Sequence, residues 1–317
     1  MSMQEAPKRL KGLVYRSTGS WYVVRAADGG FWNARIKGKM KIDENISSTN
    51  PIAVGDNVIF EIENEDTKTG TIDEVVDRNN YIVRVSPHNK NQKHIIAANL
   101  DAALIIATLA EPRTSEGFVD RFLITAEAYH IPAIIVINKT DLLKPKHKEL
   151  LEHWQDVYGK AGYELYTVVA LDKASIIPLM RRLKDKLTLF SGHSGVGKST
   201  LINQLIPGMH LKTHEVSGWS GKGQHTTTFA EMFDIPGGGQ LIDTPGVKEF
   251  GLIDFEKEEL SQYFPEMRAV MMNCKFNNCL HVNEPGCAVK QGVIDKIISE
   301  DRYVSYVTIM DSIEKKW

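Results

Sequence analysis

Asn138-Lys139-Thr140-Asp141 stands 54 positions (192 minus 138) before Gly192-His193-Ser194-Gly195-Val196-Gly197-Lys198-Ser199. The second string is a complete G-x-x-x-x-G-K-[ST] phosphate loop, and the first has the N-K-x-D pattern that reads guanine. In an ordinary guanine-nucleotide fold the phosphate loop comes first and the base motif follows on a late strand. The reversed order predicts an α/β phosphate-loop fold whose chain has been cut and rejoined, a circular permutation.

The flanking residues suit that reading. The run 186–190 (KLTLF) predicts a short buried strand, and 198–206 (KSTLINQLI) a helix stopped by Pro207-Gly208. A Gly-rich turn between strand and helix points backbone N–H groups at phosphate oxygens, and the helix dipole favours the anion. Lys198 is expected to reach the β- and γ-phosphates, and the Ser199 hydroxyl, followed by Thr200, to ligate Mg²⁺. Asp243-Thr244-Pro245-Gly246 closes a strand at 240–242, which places Asp243 on the Mg²⁺ side and the Gly246 N–H toward the γ-phosphate. Between them, 217–228 (SGWSGKGQHTTT) has the composition of a loop that orders around phosphate and metal. One of Thr226, Thr227 or Thr228 is expected to be the second protein ligand to Mg²⁺.

Asn138 follows the apolar run 133–137 (AIIVI), so the base motif lies at the C-terminal edge of a parallel strand, where open α/β sheets bind ligands. An ionised Asp141 accepts from guanine N1–H and the exocyclic amine, a pair that adenine does not offer. Asn138 is expected to bond the base edge and tie this loop to the phosphate loop, while the Lys139 stem covers the base. The Ser-Ala pair that usually backs guanine after the next strand is missing: 165–169 (LYTVV) is followed by Ala170-Leu171-Asp172.

With 317 residues, 42% hydrophobic, the chain is long enough for two or three domains, and its net charge of −2 carries no global nucleic-acid signature. No apolar run approaches the ~20 residues of a membrane span, and the start, MSMQEAPKRL, lacks a signal-peptide core. A cytosolic protein with no membrane partner is expected. All three cysteines fall in Cys274-x₄-Cys279-x-His281-x₅-Cys287. In a reducing compartment that spacing favours one zinc ion over a disulfide, and four protein ligands make the site structural.

Residues 1–78 read differently. Short β-type runs at 12–16, 21–25, 31–36, 57–62 and 70–75, punctuated by Asp28-Gly29-Gly30 and Gly55-Asp56, predict a small barrel of the OB or SH3-like type. Residues 1–45 carry nine Lys/Arg against four Asp/Glu, whereas 46–75 carry one against seven. The run Arg35-Ile36-Lys37-Gly38-Lys39-Met40-Lys41 beside Phe31 and Trp32 has two readings: an RNA contact through phosphates and stacking, or a solvated loop with Trp32 in the barrel core.

With these residues in place the chain resembles the RsgA/YjeQ/YloQ family of circularly permuted GTPases over nearly its whole length. The resemblance runs through Gly55-Asp56, Ala98-Asn99-Leu100-Asp101, Asp120-Arg121-Phe122-Leu123, Gly223-Gln224-His225-Thr226-Thr227-Thr228 and the segment 274–289. It implies a multi-domain protein: an OB-type β-barrel (1–78), a circularly permuted α/β phosphate-loop GTPase domain (79–253) and a mostly helical zinc-binding C-terminal domain (254–317). It further implies an acid anhydride hydrolase, cytoplasmic and monomeric, that cleaves GTP to GDP and phosphate with Mg²⁺. The family binds the small ribosomal subunit and its rRNA late in maturation, and the subunit stimulates hydrolysis. A GTP-gated rRNA-binding module with incidental turnover is the alternative. Many small GTPases carry a water-orienting Gln after D-x-x-G; Val247 stands there, and His225 is the expected catalytic replacement alongside Lys198. The permuted order also leads the chain from 243–246 directly into the zinc segment, which suggests a route from γ-phosphate state to that module.

Overall fold

The computed structural model describes residues 8–38, 51–85, 93–209, 230–244 and 255–313. Two compact units are present: Met1–Asp101 with Leu183–Phe190 and Ser220–Gly246, and Ala102–Arg182 with Ser191–Trp219 and Val247–Trp317.

In the first unit, β1 (Arg9–Ser17), β2 (Tyr22–Ala26), β3 (Phe31–Ile36), β4 (Asn57–Asn64) and β5 (Thr69–Val75) close into a barrel. β1 pairs antiparallel with both β2 and β4, β2 with β3, β4 with β5, and β3 runs parallel to β5. The order 1-2-3-5-4-1 with its one parallel pairing is OB-type, so the OB alternative holds. Period-2 alternation sends Val14, Tyr22, Val24, Trp32, Ala34, Val58, Phe60 and Ile72 inward to form the core. All five expected strands are present, each end within three residues of its expected position. Trp32 is 3% exposed and belongs to that core, so the stacking reading does not apply to it. The exposed barrel aromatics are Phe31 and Trp21, each with an arginine over its ring: Arg25 at 5.9 Å and Arg35 at 6.0 Å.

A hairpin of β6 (Tyr81–Val85) and β7 (Lys93–Ala98) follows the barrel and is not anticipated in the sequence. It is anchored where buried Asp56 takes both Nε and Nη2 of Arg78 at 2.6 Å, while Arg78 also donates to the Pro51 carbonyl at 2.8 Å. Gly55 has φ +92°, and the Asn99 amide donates to its carbonyl at 2.9 Å. The same unit holds β11 (Leu187–Ser191), β12 (Glu231–Asp234) and β13 (Gln240–Asp243), with β11 parallel and β12 antiparallel to β13. β12 meets β1 through Arg16 and Glu231, and Asp234 takes the Tyr15 hydroxyl (2.8 Å) and Arg25 (3.0 Å).

In the second unit, β8 (Ala102–Ala107), β9 (Ala133–Ile137) and β10 (Glu164–Thr167) run parallel in the order β10-β9-β8. β8 is buried at every position and β9 at four of five, the near-continuous apolar run of strands covered on both faces. Helices α1 (Glu116–Ala128), α2 (Pro145–Lys160), α3 (Lys173–Leu183) and α4 (Lys198–Leu205) alternate with the strands. Ser115 caps α1 by accepting the Phe118 N–H, and Asp172 accepts the Ala174 N–H at the start of α3. The C-terminal region adds α5 (Pro265–Arg268), α6 (Ala288–Ile294), α7 (Glu300–Ser312) and short 3₁₀ turns. Its core of Leu260, Phe264, Met267, Val289, Ile298, Tyr306 and Ile309 includes Ile124 of α1. Among the described residues no helix is long and apolar enough to cross a membrane.

A buried ion cluster fastens α7 to α1. Arg302, 1% exposed, donates to Asp120 on α1 (2.5 Å) and to Glu266 on α5 (2.7 Å), with its guanidinium 4.6 Å from the Phe264 ring centroid. Burial alone would lower the Arg302 guanidinium, but the two carboxylates outweigh it and hold it charged. Arg302→Leu would strand two carboxylates in a dry site and is expected to cost about 3–5 kcal/mol. Urea unfolding checks this; Lys160→Ala, at the exposed pair with Asp156, should change stability by less than ~0.5 kcal/mol.

Candidate nucleotide and metal sites

The phosphate loop follows β11 in the chain and ends at α4. Gly192, Gly195 and Gly197 all have positive φ (155°, 88° and 91°). A Cβ on Gly192 would lie 2.8 Å from the Ile106 carbonyl at the end of β8, and one on Gly197 would overlap the Asn138 amide. The loop is therefore seated against two strand ends. Val196 is buried beneath it, Ser194 is exposed, and Lys198, Ser199 and Thr200 open α4.

Asn138 is 1% exposed. Its Nδ2 donates to the Val196 carbonyl at 2.8 Å, and its Oδ1 accepts the Ala170 N–H at 3.0 Å. One amide thus ties the base motif to the phosphate loop and to the turn after β10, the tie expected from sequence. Lys139 has φ +60° and donates from Nζ to the Glu111 carbonyl at 3.2 Å. Thr140 donates from Oγ1 to Val168 O at 3.2 Å, and Asp141 is exposed on a short 3₁₀ turn.

The turn that lacks Ser-Ala is held by residues the sequence reading missed. Ser175 of α3 accepts the Val169 N–H at 2.9 Å and faces the Val169 and Asp172 carbonyls. The signal was present, since Asp172-Lys173-Ala174-Ser175 is a helix start. In the first unit β13 ends at Asp243, 8% exposed, and Thr244 Oγ1 donates to the Phe190 carbonyl at 3.3 Å. Gly246, His225, Thr226, Thr227, Thr228 and the 217–228 loop lie outside the described residues.

Cys274, Cys279, His281 and Cys287 converge, with their ligand atoms all within 4.8 Å of one another. His281 Nδ1 lies 3.6 Å from Cys274 Sγ and 3.4 Å from Cys287 Sγ. Zn–S and Zn–N bonds at tetrahedral angles give ligand separations of about 3.5 Å, so the donor set fits such an ion. Burial lowers the His281 imidazole, which keeps it neutral as a ligand must be. The Ala288 and Lys290 N–H groups point at Cys274 and Cys287 sulfur, and Tyr303 and Tyr306 donate to the carbonyls of His281 and Leu280. Burial disfavours the Glu284 charge, but the N–H groups of Leu280, Val282 and Asn283 outweigh it, hold the carboxyl below its usual range and brace the ligand loop.

A phosphate loop and a base motif joined by a buried asparagine, in reversed chain order, define a permuted phosphate-loop nucleotide-binding protein. The family described as RsgA GTPase matches residues 75–253, and the RsgA N-terminal domain matches 11–72. The chain is 49% identical to "Small ribosomal subunit biogenesis GTPase RsgA" of Flavobacterium psychrophilum, over 97% of this chain and 94% of that protein. The crystal structure of YjeQ from Thermotoga maritima superposes with a TM-score of 0.79 at 30% identity, covering 98% of this chain and 100% of that one. The structure of YloQ, described as a circularly permuted GTPase, gives 0.76 at 28%, covering 100% of both chains. The chain belongs to the RsgA GTPase family and is a GTP hydrolase.

The metal site has a direct test. Metal-free, burial pushes the Cys279 thiol up to about 12, so metal capture must displace protons and affinity must fall as pH falls. Metal content is expected to drop from about one ion per chain to near zero in Cys287→Ser, and in the unaltered chain on acidification with chelator. Atomic emission, with the unfolding midpoint alongside, measures both.

Proposed function

We propose that this GTPase binds the small ribosomal subunit and its rRNA late in maturation, and that the bound subunit stimulates its conversion of GTP to GDP and phosphate. The observation that carries this reading is the 49% identity, over 97% of the chain, to a protein named for small-subunit biogenesis. GTP favours the bound state, and hydrolysis releases the protein. Barrel (1–78), permuted GTPase (79–253) and zinc module (254–317) divide the work. Phe31 and Trp21, each under an arginine, give the barrel a base-stacking and phosphate-contacting surface. The Cys₃His cluster holds one structural zinc. The protein acts as a cytoplasmic monomer, with no membrane partner.

At the nucleotide, Asp141 reads guanine and the Lys139 stem covers it, while Asn138 holds the two loops together. Backbone N–H groups of 192–198 and the Lys198 ammonium hold the phosphates. Ser199, one of Thr226, Thr227 or Thr228, and Asp243 would hold Mg²⁺, which would supply neutralisation of negative charge on the phosphoryl oxygens. The Gly246 N–H meets the γ-phosphate. Val247 cannot orient water, so His225 does so as a neutral imidazole. In single turnover, His225→Ala should slow cleavage by about 10²-fold or more while GTP still binds; an unchanged rate removes that role.

Co-sedimentation with purified small subunits tests the whole reading. More protein should pellet with a non-hydrolysable GTP analogue than with GDP, and turnover should rise in the subunit fraction. Pelleting independent of nucleotide, without stimulation, contradicts it.

A further inference from the structure

His193, the second residue of the phosphate loop, sits in a contact that none of the nucleotide motifs requires. Its Nε2 lies 2.7 Å from the Thr114 hydroxyl, its Nδ1 3.1 Å from the Ser194 carbonyl, and the Phe118 ring meets it edge-on with centroids 5.6 Å apart. A carbonyl only accepts, so Nδ1 is the donor in that contact; Thr114 then donates its hydroxyl hydrogen to Nε2. Thr114 is 1% exposed and already accepts the Thr108 N–H at 3.0 Å, so its hydroxyl hydrogen is free to point at the ring. The Thr114 N–H closes the turn onto the Thr108 carbonyl at 2.8 Å, and Thr108 Oγ1 donates to the Pro112 carbonyl. Within that braced turn, the Glu111 carbonyl receives the Lys139 ammonium at 3.2 Å.

We propose that His193, keyed by Thr114, is a positioning residue for nucleotide binding. It fixes the His193-Ser194 half of the phosphate loop in the shape that presents N–H groups to the phosphates. The turn 108–114 is then a strut shared by the phosphate loop and the Lys139 stem. Both contacts are local to the strut, so the grip on phosphate depends on Thr114 while base selection by Asp141 does not. Loss of the key should weaken GDP and GTP alike and leave the preference for guanine over xanthine intact. A purely structural histidine would change thermal stability without this pattern. The inference rests on the phosphate loop holding the nucleotide.

Titration of the full chain with fluorescent GDP and XDP, arranged as a double-mutant cycle, tests it. His193→Ala and Thr114→Val should each raise the GDP Kd by about 2- to 10-fold, the worth of one hydrogen bond. The double variant should bind no more weakly than the weaker single variant. His193→Gln and Thr114→Ser keep an acceptor and a hydroxyl, and should stay within about twofold of the unaltered chain. The GDP/XDP ratio should be constant throughout, whereas Asp141→Asn reverses it. Unchanged affinity in both single variants, additive losses in the double variant, or a shifted GDP/XDP ratio overturns the proposal. If Thr114→Val does not fold, His193→Ala against His193→Gln decides alone: equal affinities overturn it. Lys198→Ala separates the two levels. Weakened binding there with an additive cycle defeats only the His193 role, and unweakened binding defeats the phosphate-loop reading beneath it.

Discussion

One buried amide organises the nucleotide-binding end of this protein. Asn138 is all but sealed from water, so its donor and acceptor must both be matched inside the fold. Val196 supplies the acceptor and Ala170 the donor, which brings the phosphate loop, the end of β9 and the turn after β10 to common positions. Gly197 has no side chain because the amide occupies that space. These contacts are set by proximity in space and not by order along the chain. Strand ends that meet at one edge make the same bonds whichever of them is translated first, which is why the fold survives permutation.

The C-terminal region solves a different problem. Its own apolar core is small, and short segments cannot offset the entropy of ordering without further support. Three devices supply it: Ile124 of α1 completes the core, the Cys₃His residues bring the loops together at a site that can hold a metal ion, and Arg302 joins α7 to α1 and α5. Two carboxylates facing one guanidinium form a costly arrangement to bury and a costly one to break. The helical module is thereby held to the same unit as the guanine and phosphate motifs, a link independent of the chain segment that leads into it from Asp243.

Much of this was legible in advance because the signals are local. Period-2 alternation located the five barrel strands, and the apolar runs located β9 and β11. The phosphate loop, the base motif and the ligand spacing are short strings whose chemistry dictates their geometry. Where the reading left alternatives, the deciding contact was remote in sequence. Whether Trp32 stacks on RNA or fills a core depends on which barrel face closes inward, and closure rests on β3 pairing with β5 and β1 with β4. The turn that lacks the Ser-Ala pair is held instead by the Ala170 N–H on Asn138 and by the Ser175 hydroxyl on Val169, and the first of these joins residues 32 positions apart.

By itself, the sequence determined which motifs are present: a complete phosphate-loop string, an N-K-x-D string and a Cys₃His set that can hold a metal. Those properties reside in side-chain type and spacing over fewer than a dozen positions. Tertiary structure decided the couplings. That Asn138 spends both ends of its amide on the protein, that Thr114 reaches His193 from 79 positions away, and that Arg302 meets Asp120 across 182 all depend on distances set only when the strands and helices pack. Burial then makes Asn138, Thr114 and Arg302 intolerant of losing their partners.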